Sequence, residues 1–572
     1  MLLSNLNLLA TAPGGVARLR ELILTLTVQG KLVAQDPGDE PASVLLKKIQ
    51  AEKDRLIAEG KIKRDKPLAE IGEEEKPFGL PTGWEWGRLD DVAIAIVDCP
   101  HSTAKFVANG LLCIDTNSFK NGKLVPHKLR YVDEATFADR IARLQPQPGD
   151  LVFAREGSVG ESVIIPDGVN ACLGQRVMLF RFSKWVSNEF IRMTISSKAF
   201  VDKLLALHKG IGAKHVNVSD MRLALVPLPP LAEQSRIVTR VEELMRLCDA
   251  LEAKGQLETA QHAQLVSTLL GTLTESDTPE QLAENWHRIA THFDLLLDRP
   301  QAVDALEQTI LQLAVRGLLV PQDPQDEPAS TLLKKIRLEK DHLIAQRKIK
   351  RDKPLPPIAE DEQAFVLPQG WEWVRIDAVA EVQGGIQKTQ LRRPVREHYP
   401  YLRVANVQRD VLRLGEIERF ELTKDELIKW RLITGDLLIV EGNGSADEIG
   451  RCAVWDGSID PCVYQNHLIR VRCFQQDCMP FIKLSLNAPS GMEEMKRLAI
   501  TTSGLYNLSV GKIRNFVVPV PPLSEQSRIV TRVAQLRRLC SDLRQRLSAS
   551  QSTQAHLAEA LVDSVGSGLP VS

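Results

Sequence analysis

Two long amphipathic stretches dominate the hydrophobic pattern of the chain. Ile529, Val533, Leu536, Cys540, Leu543 and Leu547 follow 4-3-4-3-4 spacing, and the phase runs on through polar Ser550 and Gln554 to Leu557 and Leu561. Such a seam closes when its a and d positions meet a second helix. Ile237, Val241, Leu244, Cys248 and Leu251 carry the same phase 292 positions earlier, until Gly255 interrupts it. The pattern predicts an uneven pair of helices, and one of ~40 residues would be about 60 Å long. Packed together as an antiparallel, coiled-coil-like spacer, they would bury seams that neither could hide alone.

Each stretch opens alike: VPLPPLAEQSRIVTRVEELMRLCDALE at Val226–Glu252 and VPVPPLSEQSRIVTRVAQLRRLCSDLR at Val518–Arg544. The proline pair starts a helix, and Glu233 and Glu525 fall in its first turn, where negative charge suits the helix dipole. The repeat is domain-sized, so the chain is a two-fold duplication and not a solenoid. Upstream, Asp36–Leu68 recurs as Asp323–Leu355, and both copies end in KIKRDKP. Ser43 is placed to cap a helix through Leu45, Leu46, Ile49 and Leu56 toward Gly60. The basic run is either a solvated helix end or a phosphate contact. Ala17–Leu32 has helical spacing up to Gly30, Val303–Leu319 resembles Val16–Leu32, and Thr278-Pro279-Glu280 marks another helix start.

The pattern then changes period. Leu80–Ala93 (LPTGWEWGRLDDVA) and Leu367–Ala380 (LPQGWEWVRIDAVA) read as a turn entering a strand. Trp84 and Trp86 would share one strand face, as would Trp371 and Trp373; core packing is their plainer role and base stacking the alternative. Short β-like runs follow at Gly110–Ile114, Leu151–Ala154 and Gln175–Phe182, and at Tyr401–Ala405, Leu437–Val440 and His467–Cys473. This fits two mixed α+β domains. Their interiors diverge while their flanks stay nearly identical, which indicates two versions of one task. The expected boundaries are a helical region 1–79, domains at 80–230 and 367–522, and helical regions at 231–366 and 523–572.

Composition narrows the function by exclusion. The formal net charge is −1 over 572 residues, so any nucleic-acid footprint must be local. Nine scattered cysteines read as reduced thiols of a cytoplasmic protein, and no run suits a signal peptide or a membrane span. Gly384-Gly385-Ile386-Gln387-Lys388-Thr389 is too short for a phosphate loop. Asp436 and Glu441 suggest a metal nuclease, but Gly442-Asn443 stands where a lysine is usual. His101 near Cys99 reads as a loop residue, and no histidine pair has metal spacing. What remains is Arg, Lys, Asn, Gln and His in loops, side chains that pair with base edges. A self-contained methyltransferase or nuclease and a coiled-coil scaffold stay open as alternatives.

The duplicated PLPPLAEQSRIV and PVPPLSEQSRIV segments, the LPxGWEW openings, and the DCPHSTAKF and GLYNLSVGKIRNF segments resemble the specificity subunit of a type I restriction–modification enzyme. The EPASxLLKKI…KIKRDKPL arm resembles the subfamily with a long N-terminal conserved region. The resemblance implies two target recognition domains, each reading half of a split double-stranded DNA site in the major groove. It implies no catalysis, metal or cofactor in this chain. Two modification subunits would bind S-adenosylmethionine and methylate adenine; two restriction subunits would supply motor and nuclease with ATP and Mg. Matched positions imply DNA contacts at Asp115, Ser118, Arg155, Gln175, Arg176, Lys214, His215 and Asn217 in the first domain. In the second they imply Arg403, Asn406, Glu441, Asn443, Gln465, Asn466, His467, Tyr506 and Asn507. Asp115 is matched to Arg403 and would favour cytosine where Arg403 favours guanine, or else simply caps a turn. Gln175-Arg176 is matched to Gln465-Asn466. Subunit docking and the spacer fall to Glu233, Gln234, Arg236, Ile237, Val241, Leu244 and Leu251, and to Glu525, Gln526, Arg528, Ile529, Val533, Leu536 and Leu543.

Overall fold

The computed structural model describes the chain apart from residues 1–5, 64–66, 101, 207–214, 277, 352, 388, 390–393, 395, 444–447, 500–505 and 568–572. His101, Lys214 and Lys388 therefore lie outside the described residues, as does the side chain of Asn443. The chain divides into two compact units, Met1–Glu258 with Gln551–Ser572, and Thr259–Ser550.

In the first unit the helix Gly15–Val28 leads to Gly30, whose φ of 67° turns the chain sharply. A Cβ at Gly30 would come within 2.5 Å of Pro81 Cγ and 3.0 Å of the Trp84 ring. The next helix, Ala42–Ala58, is preceded by Pro41 as its cap, so Ser43 lies inside it. Proline presets φ there, and the Ala42 N–H finds its acceptor at Gly83 O, 2.9 Å away. The strand Glu85–Arg88 pairs antiparallel with Leu225–Leu228, so the chain enters and leaves the recognition domain side by side. Trp84 precedes this strand and Trp86 lies within it, and the two have different surroundings. Trp84 is buried against Phe190, while Trp86 meets Phe78 edge-on at 5.0 Å.

The domain between those strands holds two four-stranded sheets and a short hairpin, Phe119–Lys120 with Lys123–Leu124, among the described residues. An antiparallel sheet runs in the order Ala93–Asp98, Val177–Phe182, Leu151–Ala154, Ser162–Ile164. All four residues of Leu151–Ala154 are buried, as befits a central strand covered on both faces. The second sheet places Ala171–Leu173 parallel to Leu111–Ile114, with Arg130–Val132 and Phe106–Val107 beyond.

The second unit repeats this plan. Glu372–Arg375 pairs with Val517–Val520, and Ala380–Gly384, Leu468–Cys473, Leu437–Val440 and Cys452–Val454 form the antiparallel sheet. His398–Leu402 lies between Glu418–Glu421 and Val463–Tyr464. Leu437 to Val440 are again all buried. The expected α+β class with long helices is what the chain adopts.

The long helices span Leu231–Thr274 and Leu523–Ser567, 44 and 45 residues. They are nearly equal in length, contrary to the expectation from Gly255. One glycine in a helix interior costs about 1 kcal/mol relative to alanine, too little to end a helix packed on either side of it. In the first unit Ile237, Val241 and Cys248 share a core with Leu19, Leu22 and Ile23, and with Ala558, Leu561 and Val562. In the second, Ile529, Val533 and Cys540 share a core with Leu306, Ile310 and Leu313, and with Val266, Leu270 and Leu273. Each seam thus meets a short helix of its own half as well as the last turns of the other long helix. Salt bridges border the short helices: Arg20 to Asp249 (2.5 Å) and Glu252 (2.8 Å), and Arg544 to Asp304 and Glu307 (2.7 Å each). Leu557, placed in the seam by phase, is 54% exposed; Ala558 takes the inward position.

Candidate nucleic-acid interface

In each domain three segments meet at one rim of the antiparallel sheet. In the first, the Arg155 N–H donates to Arg176 O (2.9 Å) and the Val216 N–H donates to Arg155 O (2.9 Å). Glu156 bridges antiparallel to His215. In the second, the Glu441 N–H donates to His467 O (2.9 Å) and the Leu508 N–H donates to Glu441 O (2.7 Å). Gly442 and Asn443 pair with Asn507 and Tyr506. Asn217 and Ser509 then cap equivalent short helices, Val218–Leu223 and Val510–Asn515. The structure thus brings Arg155, Gln175, Arg176, His215 and Asn217 to one rim, and Glu441, Asn466, His467, Tyr506 and Asn507 to the other.

These bonds shift the residue matching by one position. Arg176 is the counterpart of His467, and Gln175 of Asn466. Gly174 stands where Gln465 does, since each donates its N–H to a matched carbonyl, Ile114 O at 2.7 Å and Leu402 O at 2.9 Å. Matching glutamine to glutamine follows side-chain likeness, whereas strand pairing follows the backbone.

The rims carry different charges on the same frame. Arg155 is locked to Asp98 at 2.7 Å, each only about an eighth exposed (12% and 13%). Asp98 is a rim residue that the sequence pattern did not single out; its only signal is its place at the head of DCPHS. Arg176 is 55% exposed, reaches Glu156 at 3.5 Å, and sits at a φ of 66°, a conformation that costs non-glycine residues and gathers at functional sites. Pro100, Arg155, Glu156, Gln175 and Arg176 line a cleft of about 210 Å³. In the second domain Glu441 takes the place of Arg155 and Gly384 that of Asp98. No cation among the described residues pairs with the Glu441 carboxylate, and burial pushes its pKa up.

Other expected contacts are spent inside the fold. Asp115 and Ser118 are buried; Asp115 Oδ1 accepts from the Asn117 N–H (2.9 Å) and bonds Ser118 Oγ (3.1 Å). Asn406 is buried too: its Oδ1 accepts from the Arg403 N–H (2.8 Å) and its amide donates to Arg413 O and Glu416 O. Arg403 itself pairs with Glu418 at 2.9 Å. The Asp115 and Arg403 turns are therefore structural equivalents, and the side chains of Asp115, Ser118 and Asn406 offer no edge to a ligand. Arg130 meets Asp115 at 3.4 Å from the exposed side.

The docking residues fare likewise. Glu233, Gln234, Glu525 and Gln526 are buried, as are Ile237, Val241, Ile529 and Val533. Glu233 accepts from Trp84 Nε1 (3.0 Å), and Gln234 Oε1 accepts from the Ser187 N–H (2.7 Å). Arg236 and Arg528 pair with Asp39 and Asp326, each at 2.6 Å. Leu244, Leu251, Leu536 and Leu543 are half-buried against the same cores. The side chains of Glu233, Gln234, Glu525 and Gln526 thus bind the helix starts to their own unit, while Arg236 and Arg528 keep over a third of their side chains exposed (38% and 37%).

No group of His, Cys, Asp and Glu among the described residues is placed to hold a metal ion, and no described helix is long and apolar enough to cross a membrane.

A family model matches both halves of the duplication. The family described as type I restriction modification DNA specificity domain matches twice, at residues 81–261 and 368–550. The specificity subunit of the type I restriction enzyme EcoEI from Escherichia coli is 36% identical over 569 residues, covering 96% of this chain and 93% of that protein. The EcoAI specificity subunit, also from Escherichia coli, is 36% identical over 568 residues with the same coverage. Among solved structures, the HsdS subunit from Thermoanaerobacter tengcongensis is 18% identical, covers 85% of this chain and 97% of its own, and gives a TM-score of 0.35. Two matched domains and relatives of this identity over nearly the whole length place the chain in the family of type I restriction–modification specificity subunits.

Proposed function

We propose that this chain reads a bipartite double-stranded DNA target, one half-site per recognition domain, and brings modification and restriction subunits to it without catalysing a reaction itself. The observation that carries this reading is the contrast between frame and rim. The antiparallel sheets of the two domains share strand order and the register of their central strands, yet the places held by Arg155, Glu156 and Arg176 in one are held by Glu441, Gly442 and His467 in the other. One frame with two rim chemistries is what separate recognition of two base sequences requires, since arginine favours guanine and carboxylates favour the cytosine amino group. The buried arginines Arg88 and Arg375 pair with the part-exposed Glu75 and Glu362, at 3.0 and 2.9 Å, and fasten both domains to equivalent flanks.

Methylation-sensitive sequencing of DNA from cells carrying the chain with its modification subunits tests this reading. The expected result is adenine methylation at a split motif. Replacing residues 80–226 with a relative's block should alter one half of that motif only. Methyl transfer by the purified chain alone, with S-adenosylmethionine supplied, would overturn the non-catalytic assignment.

A further inference from the structure

The helices Ala42–Ala58 and Ala329–Ala345 end in the same way. Lys61 N–H and Lys348 N–H reach back to Leu56 O (2.9 Å) and Leu343 O (3.0 Å). The left-handed residue that permits this is Gly60 (φ 69°) in the first unit but Arg347 (φ 56°) in the second. Glycine is the usual residue at such a helix end, so the second copy accepts a backbone cost and gains a cation. Lys348, Lys350, Arg351 and Lys353 follow, and all five side chains are exposed. None of the five has an ion-pair partner among the described residues, and the nearby Glu362 is taken by Arg375. The apolar residue of the run, Ile349, is half-buried, as is its copy Ile62.

We propose that Arg347, Lys348, Lys350, Arg351 and Lys353, with Lys61 and Lys63 in the first unit, bind the phosphate backbone of double-stranded DNA without regard to sequence. The inference rests on the DNA-reading function proposed above. Two arguments favour this partner. The rims of the two domains differ, as different bases demand, whereas KIKRDKP is identical in both halves. Phosphates are the same at both half-sites, so a segment that binds them has no cause to diverge. Secondly, Arg347, Lys348, Lys350, Arg351 and Lys353, the exposed charged side chains described in the second copy, are all cations, against the single acid Asp352 of the sequence, which lies outside the described residues. Protein interfaces are depleted in lysine, while a polyanion rewards clustered cations by releasing counterions.

The test uses the chain assembled with its modification subunits, titrated by fluorescence anisotropy onto a duplex bearing the methylated motif and onto an unrelated duplex, across a salt series. The variant carries Arg347→Gln, Lys348→Gln, Lys350→Gln, Arg351→Gln and Lys353→Gln. The slope of log K against log salt should shrink by about 0.9 for each phosphate that is no longer neutralised. Affinity should fall by a similar factor on both duplexes, with the methylated motif unchanged. Lys348→Arg, Lys350→Arg and Lys353→Arg together should keep the original slope. Should the fivefold variant not fold, Lys350→Gln and Arg351→Gln singly should each remove about one such increment. An unchanged slope in an assembled complex overturns the proposal. So does loss of assembly on size exclusion, which would make the run a protein-docking surface. Failure of the unaltered complex to bind either duplex would instead refute the DNA-reading function.

Discussion

The indole nitrogen of Trp84 donates to Glu233 Oε2 at 3.0 Å across 149 positions of sequence, and Trp371 donates to Glu525 Oε2 at 3.0 Å across 154. Each bond ties the opening of a recognition domain to the first turn of the long helix that leaves it. Gln35 and Gln322 reach the other carboxylate oxygen at 3.4 and 2.7 Å. Burial raises the pKa of both glutamates despite these donors.

Trp84→Phe leaves a buried acceptor without its main donor, which costs about 1–3 kcal/mol. Glu233→Gln keeps an oxygen for the indole and should cost less. Denaturant unfolding of the two variants decides the order, and equal stability of Trp84→Phe and the unaltered chain would contradict it.

Glu441 is the rim carboxylate with no cation beside it among the described residues, whereas its counterpart Arg155 is occupied by Asp98. If Glu441 accepts from a base amino group, Glu441→Gln should lose about 1–3 kcal/mol of discrimination at one position, all of it in the half-site read by the second domain. Asp98→Asn should release Arg155 and change only the other half-site. Sequencing of methylated sites from cells carrying each variant reads both effects. A change in both halves from either substitution would refute separate reading.

Gly255 lies inside a continuous helix, and a Cβ there would meet nothing within 4 Å. Gly255→Ala should therefore stabilise the chain by about 0.5–1 kcal/mol, seen as a higher melting temperature with the methylated motif unaltered. A lower melting temperature would show that the glycine serves a contact that alanine disturbs.

Asp377 faces Arg514 at 2.7 Å and Lys340 at 2.9 Å. Burial alone would raise its carboxyl, but the two cations outweigh burial and hold it below the usual aspartate range. A depressed folded-state pKa contributes stability above the unfolded value, about 3.9, and loses it as pH falls through the folded value. The stability difference between the unaltered chain and Asp377→Asn should be full near neutrality and shrink below about pH 4. Unfolding of both proteins across that range checks this, and a pH-independent difference would exclude the linkage.

Much of the fold and part of the rim are legible in the residues. The central strands Leu151–Ala154 and Leu437–Val440 are short apolar runs between turn signals, so a local pattern suffices to place them. The rim segments can be found because they follow those strands. The sites that the residues misplace fail for one cause. Asp115, Ser118, Asn406, Glu233 and Gln234 are polar residues whose side chains could face either a ligand or their own fold.

The sequence by itself determined the duplication, the two diverged domains, the central strands Leu151–Ala154 and Leu437–Val440, and the long helices that follow each domain. Those features depend on periodicity and repetition, which are local properties of the chain. Only the tertiary structure decided that the helix starts are buried, that Gly255 lies within an unbroken helix, and that Arg176 is the counterpart of His467. Burial and strand register are set by partners far along the chain, such as Glu233 for Trp84, and no local pattern encodes which partner arrives.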